Sequence, residues 1–169
     1  SICLKGDGCG ISSAGPGYKV NPLAAMTGAP VEVSSNKIAL SEGPVHEVKM
    51  LNSGADGIMV FEPAVIKISK GDTVNFVATD MSHNSASLDG MIPARADSWN
   101  GALSQDISIT FTEEGVYVYQ CTPHAMMAMV GVIQVGDAVN LDAVKAEASQ
   151  KKSIFVSNTD RLDEYLSQL

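Results

Sequence analysis

The chain has 169 residues and a mass of 17.7 kDa, enough for one substantial domain with appendages and short for two. Its 45% hydrophobic and 18% charged residues are a globular composition, against wholesale disorder. Eleven basic against nineteen acidic residues leave a formal charge of −8, which removes the basic footprint that nucleic-acid binding needs, and no apolar run reaches the roughly 18 residues of a membrane span.

Ser1 is not preceded by an apolar leader, so a trimmed or recombinant chain is expected. Residues 1–30 are rich in Gly, Ser, Ala and Pro, as in KGDGCGISSAGPG and MTGAP, and read as an irregular arm. Val31 and Val33, then Ile38 and Leu40, alternate with polar residues, which fits one added edge strand. From His46 onward short β-branched runs recur: HEVKML, IMVFEP, AVIKIS, TVNFVA, ISITF, VYVYQ and VGVIQV. Turn-forming NSGADG, KGD, DGMIP, EEG and GD separate them. Strands of this length and spacing predict an antiparallel β-sandwich or barrel. No glycine-rich phosphate loop stands at a strand-to-helix turn. After Asp137 the period changes. Asn140 is placed to cap a helix carrying Leu141, Val144 and Ala148. Thr159 is placed to cap another, whose Leu162, Tyr165, Leu166 and Leu169 share one face. The boundaries drawn are 1–44 for the arm, 45–137 for the sandwich and 138–169 for the helical extension.

Three histidines and three cysteines are the whole stock of soft ligands besides eight methionines. In QCTPHAMMAMVG, Cys121 and His124 are two residues apart and Met129 follows after four more. His83 sits upstream in DMSHNSAS, just past a strand. One thiolate, two imidazoles and a thioether at one end of a sandwich make a soft N/S site. Such a set suits copper, because a trigonal His₂Cys plane with a weak axial Met serves both oxidation states, so little moves when an electron passes. A tetrahedral S/N site would also take zinc. A filled ligand sphere argues against catalysis, which needs an open position. Only His46 is left over, and it reads as a surface histidine. Asp56 and Glu62 read as solvated or turn-forming rather than as an acid–base pair.

The sequence resembles the blue copper proteins (cupredoxins), and within them the pseudoazurins, from about Val45 to Leu169. The resemblance is carried by VKMLNSGADGIMVFEPAVIKISKGDTV, the pair His83-Asn84, GMIP at Gly90–Pro93, CTPHAMMAM, and VIQVGD followed by two helices. It implies an all-β cupredoxin Greek-key sandwich with two C-terminal helices, and His83, Cys121, His124 and Met129 as ligands of one type 1 copper ion. It further implies a periplasmic, monomeric, non-enzymatic one-electron carrier that serves larger redox proteins, such as a nitrite or nitrous oxide reductase. A copper-delivery module without electron traffic is the alternative, and an enzyme completed by another subunit is a third reading. Asn84 would then bridge the two ligand loops and aim its N–H at the Cys121 sulfur. Pro123 would withhold a donor from that sulfur, and Met59 and Met127 would pack near the His124 ring. An exposed apolar rim of Met91, Ile92, Pro93, Pro123, Ala125 and Met127 is expected around His124.

Two features depart from the family. Pseudoazurins commonly ring the ligand end with lysines, whereas the corresponding positions here are Ser53, Met81 and Gln120. Within 45–137 the basic residues are Lys49, Lys67, Lys70 and Arg95, against eleven acids. Cys3 and Cys9 lie outside the resemblance. In an exported protein they read as a local disulfide, with free thiols or an intermolecular bridge as alternatives.

Overall fold

The computed structural model describes residues 37–169, of which Ile38–Leu169 form one compact unit. The Cys3–Cys9 pair and most of the added strand expected over 31–40 lie outside the described residues. Of that strand, Leu40 forms an isolated parallel bridge with Lys67.

Eight strands follow: β1 (Val45–Gly54), β2 (Gly57–Glu62), β3 (Val65–Ile68), β4 (Thr73–Val77), β5 (Ala86–Ser87), β6 (Ile107–Thr110), β7 (Gly115–Gln120) and β8 (Val130–Val135). They form two four-stranded sheets, ordered β2-β1-β4-β6 and β3-β8-β7-β5. All seven expected runs are strands, and the two-residue β5 is additional. The sheets are mixed, which corrects the antiparallel expectation: β1 pairs with β4, and β3 with β8, in parallel. After β2 the chain crosses to the second sheet as β3 and returns as β4 beside β1. A strand that comes back through the other layer re-enters in the same direction, whereas a tight hairpin reverses it.

Burial explains the two kinds of strand. In β4, Val74 and Phe76 point inward and alternate with half-exposed neighbours, the signature of a sheet wet on one face. Strand β8 is buried throughout and β7 nearly so, because their sheet is covered twice. Tyr117, Tyr119, Ile133 and Val135 face the other sheet, packing with Val48, Met50, Phe61, Phe76 and Trp99. Val116, Val118, Val130 and Val132 face outward against Val144, Ala148, Phe155, Leu162, Tyr165 and Leu166. Each Val, Ile, Leu or Phe among them contributes roughly 1.5–3 kcal/mol on burial. The C-terminal residues therefore close a second core.

That second core is built on α1 (Leu141–Lys151) and α2 (Arg161–Leu166), joined through a short 3-10 turn. Asn140 does occupy the position before α1, but its side chain makes no cap. Its Oδ1 accepts the Val116 N–H at 2.6 Å and its Nδ2 donates to the Val116 carbonyl at 3.0 Å. The amide stitches the helix start to β7. Asp160, not Thr159, is the residue before α2. Among the described residues no helix is long and apolar enough to cross a membrane.

Candidate metal centre

Strand β7 delivers Cys121, fully buried, at one end of the sandwich. The chain then turns through a 3-10 segment, Thr122–Met127, with Pro123 in its first positions. Ala128, left-handed at φ 57°, ends the turn and sends Met129 back into the core and on into β8. The loop closes on itself through backbone bonds. Cys121 N–H donates to the Met129 carbonyl at 2.9 Å, and His124 N–H donates to the Cys121 carbonyl at 3.2 Å. His83 comes from the β4–β5 connection. It is buried, and its carbonyl accepts the Ser104 N–H at 2.8 Å.

Three donor atoms converge. Cys121 Sγ lies 3.3 Å from His124 Nδ1 and 3.6 Å from His83 Nδ1, and the two Nδ1 atoms are 3.2 Å apart. A triangle with such edges has its centre about 2.0 Å from each corner, near the roughly 2.0–2.3 Å of bonds from a first-row metal to imidazole and thiolate. The donor set therefore fits an ion that takes one sulfur and two nitrogens in a plane. Met129 brings a thioether to the same buried cluster as Cys121.

Surrounding groups fix these atoms. His83 Nε2 donates to Asn52 Oδ1 at 2.8 Å, so the lone pair is on Nδ1, facing the sulfur. Asn84 bridges the loops as expected: its Oδ1 accepts the Thr122 N–H at 2.7 Å, and its Nδ2 donates to the Gly101 carbonyl at 3.0 Å. Burial pushes the Cys121 thiol up, and backbone N–H groups of Asn84 and His124 partly offset this. Burial also lowers His83, with the charge of His124 acting in the same direction and Asp80 opposing. Both shifts favour the neutral groups: a bound cation displaces the proton of the Cys121 thiol and takes the free Nδ1 lone pair of the neutral His83 imidazole.

Other expectations need correction. His46 is not a surface residue: its side chain is buried, and its Nε2 lies 2.9 Å from Asp72 Oδ2. Met91 and Pro93 are not part of an exposed rim. They are buried, and Met91 packs with Val144 and Ala148 of α1, which covers the Gly90–Pro93 turn. Asp56 and Glu62 do form turn contacts, Glu62 Oε1 accepting the Ala55 N–H at 2.8 Å. Arg161 is a residue the sequence did not single out. Its buried guanidinium donates to the carbonyls of Asp56, Ile58, Met59 and Ala128. One charged position beside the apolar face of a short helix gives no local sign of that role.

A family model described as copper binding proteins, plastocyanin/azurin family, matches residues 48–136. The chain belongs to this family, and within it is of the pseudoazurin type. It is 44% identical over 125 residues to the pseudoazurin of Paracoccus pantotrophus, covering 73% of this chain and 83% of that one. Against the pseudoazurin of Methylorubrum extorquens it is 41% identical, covering 72% and 80%. The crystal structure of pseudoazurin from Methylobacterium extorquens AM1 superposes with a TM-score of 0.65 at 39% identity, over 73% of this chain and 98% of that one. This pseudoazurin-type protein is thus an electron carrier rather than an enzyme, and its cofactor is one type 1 copper ion.

Proposed function

We propose that His83, Cys121, His124 and Met129 hold the copper of a monomeric periplasmic carrier that donates single electrons to a denitrification reductase, for nitrite or nitrous oxide. In this reading residues 45–137 carry the redox unit, 138–169 cover it and 1–44 are an appended arm. The convergence of Cys121 Sγ with the two histidine Nδ1 atoms carries the ligand assignment. Copper bound there supplies a reversible one-electron couple. The chain's own residues keep the geometry constant: Asn52 fixes the His83 ring, Asn84 ties the two loops, and the sandwich keeps water from the thiolate. His83 is buried and His124 half-exposed, so the His124 ring is the shortest way out for an electron. A disulfide between Cys3 and Cys9 would suit an oxidising compartment.

The test loads the chain with Cu(II) and follows its visible band. Reversible bleaching by a reductant, followed in stopped flow by re-oxidation with nitrite or nitrous oxide reductase, is expected. Loss of copper to a mild chelator without electron exchange would refute the carrier reading. An unchanged spectrum in Cys121→Ser would refute the ligand assignment.

A further inference from the structure

Five segments meet around the donor triangle: 52–57, 78–85, 100–106, 121–129 and 155–160. Asn52 reaches His83, Ser104 receives the Ser82 N–H and donates its own to His83, and Val156 N–H donates to Met126. These segments carry four aspartates, Asp56, Asp80, Asp106 and Asp160, and no lysine or arginine. Asp160 shares Lys152 with Asp163, whereas no salt bridge among the described residues involves Asp56, Asp80 or Asp106. Asp80 is close enough for its charge to act on His83.

The same segments expose large apolar side chains. Met81 is 65% exposed, Leu103 54%, Met126 59% and Val156 73%. Exposed apolar groups in one place mark a contact surface, and the charges around them select who makes the contact.

Resting on the carrier reading above, we propose that this face docks a redox protein of opposite polarity, one whose cofactor edge is apolar and surrounded by lysines and arginines. A second copy of this chain is disfavoured, since it would set aspartates against aspartates across the contact. A partner with an acidic face meets the same repulsion. Such steering raises the encounter rate and is lost as salt screens it.

The experiment uses the full copper-loaded chain and a small ferrous c-type cytochrome of basic surface, native or with its lysines acetylated. One electron passes from the ferrous haem to the cupric centre, and no proton is needed. The second-order rate with native cytochrome should fall at least about tenfold between roughly 10 and 200 mM salt, and acetylation should flatten that dependence. Asp80→Asn with Asp106→Asn should lower the low-salt rate severalfold, with the reduction potential measured alongside to separate driving force from encounter. Met126→Lys should slow transfer at all salt concentrations, while Asp142→Asn on α1 should leave the rate as it is. The copper-free chain should bind native but not acetylated cytochrome in low-salt calorimetry. Equal rates and binding for the two cytochromes, or faster transfer from the acetylated one, would overturn the proposal. No reversible colour and no transfer with either probe would instead bring down the carrier reading, and this proposal with it.

Discussion

Asn52 Oδ1 accepts the proton on His83 Nε2 at 2.8 Å, and this one bond decides which nitrogen of His83 faces Cys121. The amide oxygen can only accept, so the ring is held as the tautomer whose Nδ1 is free to coordinate. Asn52→Ala should weaken copper binding by about 10–100-fold, as loss of such partners does elsewhere. Asn52→Asp, which keeps an acceptor, should recover most of it. Competition with a calibrated chelator measures both.

On the proposed ligand assignment, the Cys121 sulfur would carry the colour and the Met129 thioether would tune the potential. Cys121→Ser should abolish the intense visible band. Met129→Gln should keep copper and lower the potential, because a harder oxygen favours Cu(II). Absorption spectra and voltammetry of the two variants check this.

Tyr119 of β7 is paired with Gly131 of β8. A Cβ on Gly131 would run into the Tyr119 ring and hydroxyl, so Gly131→Ala should cost about 1–3 kcal/mol in urea unfolding. The buried Tyr119 hydroxyl has no hydrogen-bond partner among the described residues. Tyr119→Phe removes a desolvated polar group and should therefore be neutral or stabilising by about 1 kcal/mol.

Asp72 takes its hydrogen bond from buried His46, and its carboxyl is held below its ordinary range. The His46 bond is the largest cause, and the Ser69 N–H at 3.0 Å adds to it against the opposing effect of burial. A carboxylate whose folded pKa is depressed stabilises above its unfolded value, about 3.9, and loses that contribution as pH falls through the folded value. Stability should therefore decline below about pH 4. Asp72→Asn should be less stable at pH 7 and show a shallower acid limb. Parallel curves for the two proteins in a pH series of urea titrations would refute this.

Arg161 joins α2 to the loop that ends in Met129. Arg161→Met leaves the carbonyls of Asp56, Ile58, Met59 and Ala128 without that donor, and should cost about 2–4 kcal/mol. Lysine has a single charged centre in place of a planar fork and should rescue only part. Thermal unfolding of the copper-free proteins measures the loss.

The local part of this structure was legible from residues in a row. Alternation at Val74 and Phe76, the Gly and Asp turns, and the Cys121–His124–Met129 spacing each declare themselves within a few positions. What was hidden depends on which distant segments meet. His46 looked solvent-facing beside Glu47 because its partner, Asp72, is 26 residues away in the turn between β3 and β4. Met91 and Pro93 looked like a surface rim until α1 covered them. Asn140 has the composition of a helix cap, yet Val116 of β7 competes for the same amide and wins it. The partners of Asn52 and Arg161 are likewise long-range, so no window of sequence contains both ends.

The parallel pairing of β3 with β8, Val65 against Val132, has a kinetic consequence. Neither strand can find its place until nearly the whole sandwich has been synthesised, and pairings of such long range fold in milliseconds to seconds rather than microseconds. Cys121 directly follows β7, which needs β8 beside it before the thiol is enclosed. Through that interval the sulfur is an ordinary exposed thiol in a chain that also contains Cys3 and Cys9. A wrong disulfide formed then would remove the proposed copper ligand unless it is reshuffled. Slower docking of β8 is therefore expected to lower the share of chains that take up copper.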